Sequence, residues 1–142
     1  MAKIRLKNDS GKVLAVWLEP LGEDYWMNPE EGFIVSTETA QNEGPDEVPF
    51  DVVFHEQGVS VWVNVGLEAV VRDQSGAEVD CGHQRPLEVL RKWTKAAEAA
   101  ALRASGSVAL REMTLGTAEA MRRALTQAEA AVEQARERPS SP

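Results

Sequence analysis

Cysteine is almost missing from this chain: 142 residues contain one thiol, Cys81. A lone cysteine closes no intrachain disulfide, so the fold must rest on its core, and no oxidising compartment is required. Long apolar runs are missing too. No stretch approaches the ~20 residues that cross a bilayer, and "MAKIRLKNDSG" enters an alternating pattern with no apolar leader. Both absences favour a cytoplasmic protein. No glycine-rich turn joins a strand to a helix, so the common cradles for dinucleotides and phosphates are excluded. Positive charge is scarce in the first part of the chain. Residues 1–85 carry 6 Lys/Arg against 16 Asp/Glu, or 6 − 16 = −10. An acidic body repels phosphate backbones and anionic headgroups, so nucleic acid and membrane are not expected partners. Residues 86–142 hold 9 against 7, or +2, which brings the total to −8. Their basic residues alternate with acids and form no patch.

The first 83 residues read as short strands separated by turns. In "KIRLKN", Ile4 and Leu6 alternate with Lys3, Arg5 and Lys7, as in a strand buried on one face. "DSG" (9–11) suits a hairpin loop that would set Leu6 against Leu14 and Ile4 against Val16, with Lys3 opposite Trp17. A second hairpin joins "PFDVVFHE" (49–56) to "VSVWVNV" (59–65) through Gln57-Gly58. Pairing outward from that turn places Phe54 opposite Val61, Val52 opposite Val63 and Phe50 opposite Val65 on the inner face. A short strand at Tyr25–Met27, "FIVST" (33–37), a long acidic loop at 39–49, "GLEAVVRD" and "AEVDCG" complete the series. About eight short strands with no helical period between them predict an antiparallel β-sandwich over residues 1–83. A parallel sheet is not expected, because no crossover segment is long enough.

Residues 84–142 change character. "PLEVLRKWTKAAEAAALRA" is built from strong helix formers, with Pro86 at a favoured starting position. "SGS" (105–107) and Gly116-Thr117 read as interruptions, Thr117 as a helix cap, and "PSSP" as a frayed end. Met121, Leu125, Ala128, Val132 and Ala135 are spaced 4, 3, 4, 3, which is a narrow heptad seam. Such a helix needs the first helix or a second chain against it. The class predicted for the whole is α+β.

His55, Cys81 and His83 are the residues to weigh for a metal or a nucleophile. Structural zinc takes four ligands and catalytic zinc three, and "CGH" supplies two. A reactive thiolate needs an electropositive setting, which an acidic body with Arg85 alone does not offer. The acids of "EPLGEDYWMNPEE" (19–31) fall in turns where water keeps them ionised, with no apolar pocket to raise one as glycosidic chemistry requires. Neither a catalytic residue nor a metal or other cofactor is therefore expected. Trp17, Tyr25, Trp26 and Trp62 are the candidate binding residues, since rings on an exposed sheet face anchor partners. Alternation turns either Trp26 or the Tyr25/Met27 pair inward and leaves one ring outside. The C-terminal helices are the competing explanation, as a cover for these rings.

Residues 8–31, "NDSGKVLAVWLEPLGEDYWMNPEE", resemble the opening of small β-sandwich domains of bacterial proteins and, more distantly, of the von Hippel–Lindau β domain. The resemblance implies a binding or interaction role and transfers no site residue. The reading that follows is a non-enzymatic, cytoplasmic protein-interaction module, its partner another protein or a second copy paired through the helical seam. A carbohydrate-type ligand on the exposed rings is the alternative, and a Cys/His hydrolase a third.

Overall fold

The structure, a computed structural model, describes residues 1–38, 47–104 and 106–138. It divides into two compact units, Met1–Arg85 and Pro86–Pro142. The class is α+β, with seven strands in two sheets followed by two helices. Strands β1 (Ala2–Lys7), β4 (Gly32–Thr37) and β7 (Ala69–Arg72) form one sheet, in the order β1-β4-β7. Strands β2 (Leu14–Glu19), β3 (Glu23–Met27), β5 (Phe50–His55) and β6 (Gly58–Val63) form the other, in the order β3-β2-β6-β5. The arrangement is sandwich-like. Val16, Leu18, Phe33, Val35, Val61 and Val71 are fully buried in one cluster, with Ile4 and Leu6 packed against it.

The alternation in β1 is observed, but its partner is not β2. β1 pairs antiparallel with β4, Ile4 against Val35 and Leu6 against Phe33. The reason is Asn8, wholly buried where the chain leaves one sheet for the other. Its side-chain amide donates to Lys12 O and Met27 O, and its Oδ1 accepts from the N–H and hydroxyl of Ser10. Its backbone N–H donates to Glu31 O, and its carbonyl accepts from Glu30 N–H. These bonds fold "NDSG" into a crossing between sheets instead of a hairpin turn. Ile4, Leu6, Val16 and Leu18 do share one core, from opposite sides of it.

Sheet pairing departs from expectation a second time. β2 pairs antiparallel with β3 and parallel with β6, Ala15 against Gly58 through Glu19 against Trp62. The connection that sequence reasoning could not find is β3, β4 and β5 themselves, passing through the other sheet. Gly58 makes this pairing geometrically accessible. Its φ is +152°, and a Cβ there would collide with the backbone of Ala15. The β5–β6 hairpin forms with Glu56-Gln57 as its loop, so Phe54 meets Val59, Val52 meets Val61 and Phe50 meets Val63. This is two residues away from the register expected; a shift of two keeps the alternation of faces, but Phe54, expected inside, is 81% exposed, beyond the core that Phe50 and Val52 reach. The strand expected at "AEVDCG" contracts to a bridge between Arg72 and Glu78 and a bond from Val79 N–H to Val71 O. Of the acidic loop at 39–49, residues 39–46 lie outside the described residues.

The second unit is a pair of helices, α1 (Leu87–Arg103) and α2 (Val108–Glu137). Pro86 stands at the N-cap of α1, and the Ser107 hydroxyl caps α2 by accepting from Leu110 N–H. Gly116 does not interrupt α2, and Thr117 caps nothing; its hydroxyl donates back to Met113 O within the helix. A lone glycine costs a helix only about 1 kcal/mol, which a thirty-residue run with a packed face absorbs. "PSSP" lies outside the described residues.

Two substitutions test these constraints. Asn8→Ala strands the carbonyls of Lys12 and Met27 and should cost about 2–3 kcal/mol, read as a lower urea midpoint at unchanged slope. Gly58→Ala should cost about 3 kcal/mol or more, because the backbone it strikes cannot yield without unpairing β2 from β6.

Candidate functional site

The acid- and ring-rich stretch 19–31 contains β3, and both of its rings are buried. Tyr25 and Met27 face the core, and Trp26, on the opposite face, is also buried. The expectation of one ring outside is not met, and residues 80–85 run alongside β3 as a further edge segment. Tyr25 and His83 form a parallel bridge, Trp26 N–H donates to His83 O, and Gly82 N–H donates to Asp24 O. The Gln84 side chain donates to Trp26 O and to Glu31, with its own backbone at φ +55°. Arg85 closes the strap. Its Nε and Nη2 grip Asp24 at 2.8 and 2.6 Å, a two-pronged pair. Asp24 also accepts from the Trp26 indole N–H at 2.7 Å and from the Cys81 thiol at 3.7 Å.

The acids of this stretch thus divide by role. Burial pushes the Asp24 carboxyl up, but the bonds from Arg85 and Trp26 outweigh it and hold the carboxyl below its ordinary 3.8. Glu23 accepts from the Tyr25 hydroxyl at 2.7 Å. The tyrosine's own pKa is raised, first by burial and then by that bond. Glu31 lies below its ordinary value because bonds from Gln84 and Asn28 outweigh its burial. Glu30 makes a long surface pair with Lys7.

The remaining sequence candidates disperse. Trp17 is half-buried, its ring edge-on to Trp26 at 6.5 Å, and among the four candidate rings only Trp62 is exposed, at 43%. His55 lies on β5 and Cys81 on the segment beyond β3, at opposite edges of a four-stranded sheet and at least about 14 Å apart by strand spacing alone. The His83 ring turns instead to Phe33, at 5.7 Å. Among the described residues no three of His, Cys, Asp and Glu are grouped to hold a metal ion. A polar cleft of about 370 Å³ opens between Glu31, Phe33, Asp73, Gln74, His83 and Gln84. Of its lining, only Glu31 and His83 were singled out in the sequence, for other chemistry, and the part played by the 73–76 turn had no signal.

In the helical unit the upper seam faces α1. Leu125 is buried, Ala128 is half-buried, and the carbonyl of half-buried Met121 accepts from the hydroxyl of buried Thr94 across the pair. Val132 and Ala135 are exposed. Arg122 grips Glu98 through two bonds of 2.7 and 2.8 Å, and Arg91 reaches Glu129 at 3.4 Å. Beside the Arg122–Glu98 pair is an apolar groove of about 530 Å³, floored by Ala101, Leu102, Leu115 and Ala118 and rimmed by Glu119 and Arg123. Leu102 is 90% exposed and Leu115 52%.

No family model, no curated protein and no solved structure matches the chain.

The Asp24–Arg85 pair saturates the acceptors of the carboxylate and leaves no open position for a reacting group. It is a clamp. The groove in the helical unit has the opposite character: apolar area left uncovered among the described residues, bordered by both signs of charge. Asp24→Asn removes the charge that Arg85 needs and should destabilise the fold by about 3 kcal/mol at neutral pH. Because the folded carboxyl titrates below 3.8, this contribution is complete above that value and disappears as pH falls through the folded pKa. Unfolding curves of the two proteins should therefore converge on acidification, and a difference that persists in acid would contradict the clamp.

Proposed function

We propose that the chain is a non-enzymatic protein-interaction module whose helical unit receives an apolar segment of a partner in the groove between α1 and α2. The exposure of Leu102 and Leu115 beside small Ala101 and Ala118 carries this reading. A groove floored by alanine and walled by leucine admits a helix at close approach, and Glu119 and Arg123 on its rim fix orientation. Pairing of two such units, as the seam suggested, is one form of the same interaction. A cytoplasmic setting agrees with an exposed Cys81 thiol that is in no disulfide. Among the described residues no helix is long and apolar enough to cross a membrane.

A photoreactive residue in place of Leu102 tests the reading in the source cells. The expected result is a discrete cross-linked adduct that Leu115→Glu removes with helix content unchanged. No adduct, or one indifferent to Leu115→Glu, counts against the groove.

The polar cleft favours a second reading, a small polyol or sugar ligand held by Gln74, His83 and Gln84. Titration calorimetry across a glycan panel tests it: heat that Gln84→Ala and Gln74→Ala abolish is the expected result, and no heat with any glycan would dismiss the reading.

A further inference from the structure

Three of the four sheet edges in the first unit are guarded. β1 lines its edge with exposed Lys3, Arg5 and Lys7. The strap runs along β3, and Glu78 and Val79 bond along β7. Strand β5 has no neighbour on its outer side among the described residues. It reads Phe-Asp-Val-Val-Phe-His, with no lysine, arginine or proline and no break in its register with β6. Val53 is 51% exposed and Phe54 81%. An unpaired row of N–H and C=O groups beside apolar side chains is a template for another strand.

The phase of the ladder decides which groups are on offer. Asn64 N–H donates to Pro49 O, so that pair is hydrogen-bonded. By alternation, so are Asp51–Trp62, Val53–Ser60 and His55–Gly58. Phe50, Val52 and Phe54 therefore turn their N–H and C=O groups away from β6 and into the open edge. A second β5, antiparallel across a two-fold axis, satisfies these groups only when even residues face even residues. Centred on Val53, the register exchanges bonds between Val52 and Phe54 of the two copies, in both directions. It places Val53 against itself and Asp51 against His55 twice, a carboxylate opposite an imidazole each time. Centred on Val52, it would set Asp51 against Val53 and lose both of those pairs.

We propose that β5 is a self-association edge: two copies of this chain pair their β5 strands antiparallel about Val53, joining two four-stranded sheets into one of eight. The pairing covers Phe54 with Val52 of the other copy and is isologous, so it closes at two. It goes beyond the groove reading and does not depend on it, since the two surfaces lie on different units.

Sedimentation equilibrium of the full chain tests it, with the expectation of a species at twice the 15.5 kDa chain mass that dissociates on dilution. Val53→Lys brings two ammonium groups together at the axis, and His55→Asp opposes carboxylates. Each should weaken the dimer at least about tenfold, and both positions are exposed, so circular dichroism should be unchanged. Exchanging the pair, Asp51→His with His55→Asp, should restore association. Leu102→Glu should leave the mass unaltered. A monomer at every concentration overturns the proposal, as does a dimer that survives Val53→Lys. A surviving dimer that Leu102→Glu dissolves would assign association to the helical groove, overturning the edge and leaving the groove reading intact.

Discussion

The first unit depends on one buried amide. Asn8 lies at the point where the chain abandons one sheet for the other, and it has no contact with water. An amide in that position is stable only if its donors and acceptors all find partners. Lys12, Met27 and Ser10 supply them from one side, and the backbone of Glu30 and Glu31 from the other. The β1–β2 crossing and the β3–β4 turn are thereby held as one piece. With that corner set, β1 can reach only β4, and β2 is free on its far side to accept β6.

The strap at residues 80–85 solves a different problem by related means. β3 would otherwise end its sheet with Trp26 and Asp24 turned outward. Covering an aspartate is costly unless its charge is answered, and Arg85 answers it with a planar fork while the indole and thiol fill in around it. The stretch that looks in sequence like a site of chemistry is a joint. Three of its carboxylates, those of Glu23, Asp24 and Glu31, hold a tyrosine hydroxyl, an indole, an arginine and two amides.

Much of the architecture was legible from local pattern. Alternation located six of the seven strands within a residue or two and put nearly every side chain on the correct face. The turn to helix at Pro86 was equally plain. What alternation cannot supply is the partner of a strand. Ile4 and Val16 are apolar at matching positions whether they sit side by side or face each other across a core. The β5–β6 register slipped because glycine was assigned to the loop, where its permissiveness is usually spent. Here Gly58 stands one step later, to let β2 come close. The rings were misjudged because alternation assigns a residue to a face but does not say whether that face is covered: Trp26 lies on the outer face, against Trp17 and Asp24, and is buried there. Gly116 misled for the converse reason: helix packing around Leu125 and Ala118 outweighs one unfavourable residue. The groove in the helical unit left only a trace in the sequence, as leucines off the seam.

The parallel pairing also bears on time. Hairpins β2–β3 and β5–β6 close over three and two residues, whereas Ala15 and Gly58 are 58 − 15 = 43 residues apart. Local closure is fast, and distant closure waits on the entropy of everything between. The two hairpins can therefore form early and separately, each with one bare flank. Their meeting along Ala15 and Gly58 completes the second sheet and is the slow event of folding. As the chain emerges during synthesis, β2 has to wait with that flank uncovered until residue 63 has followed.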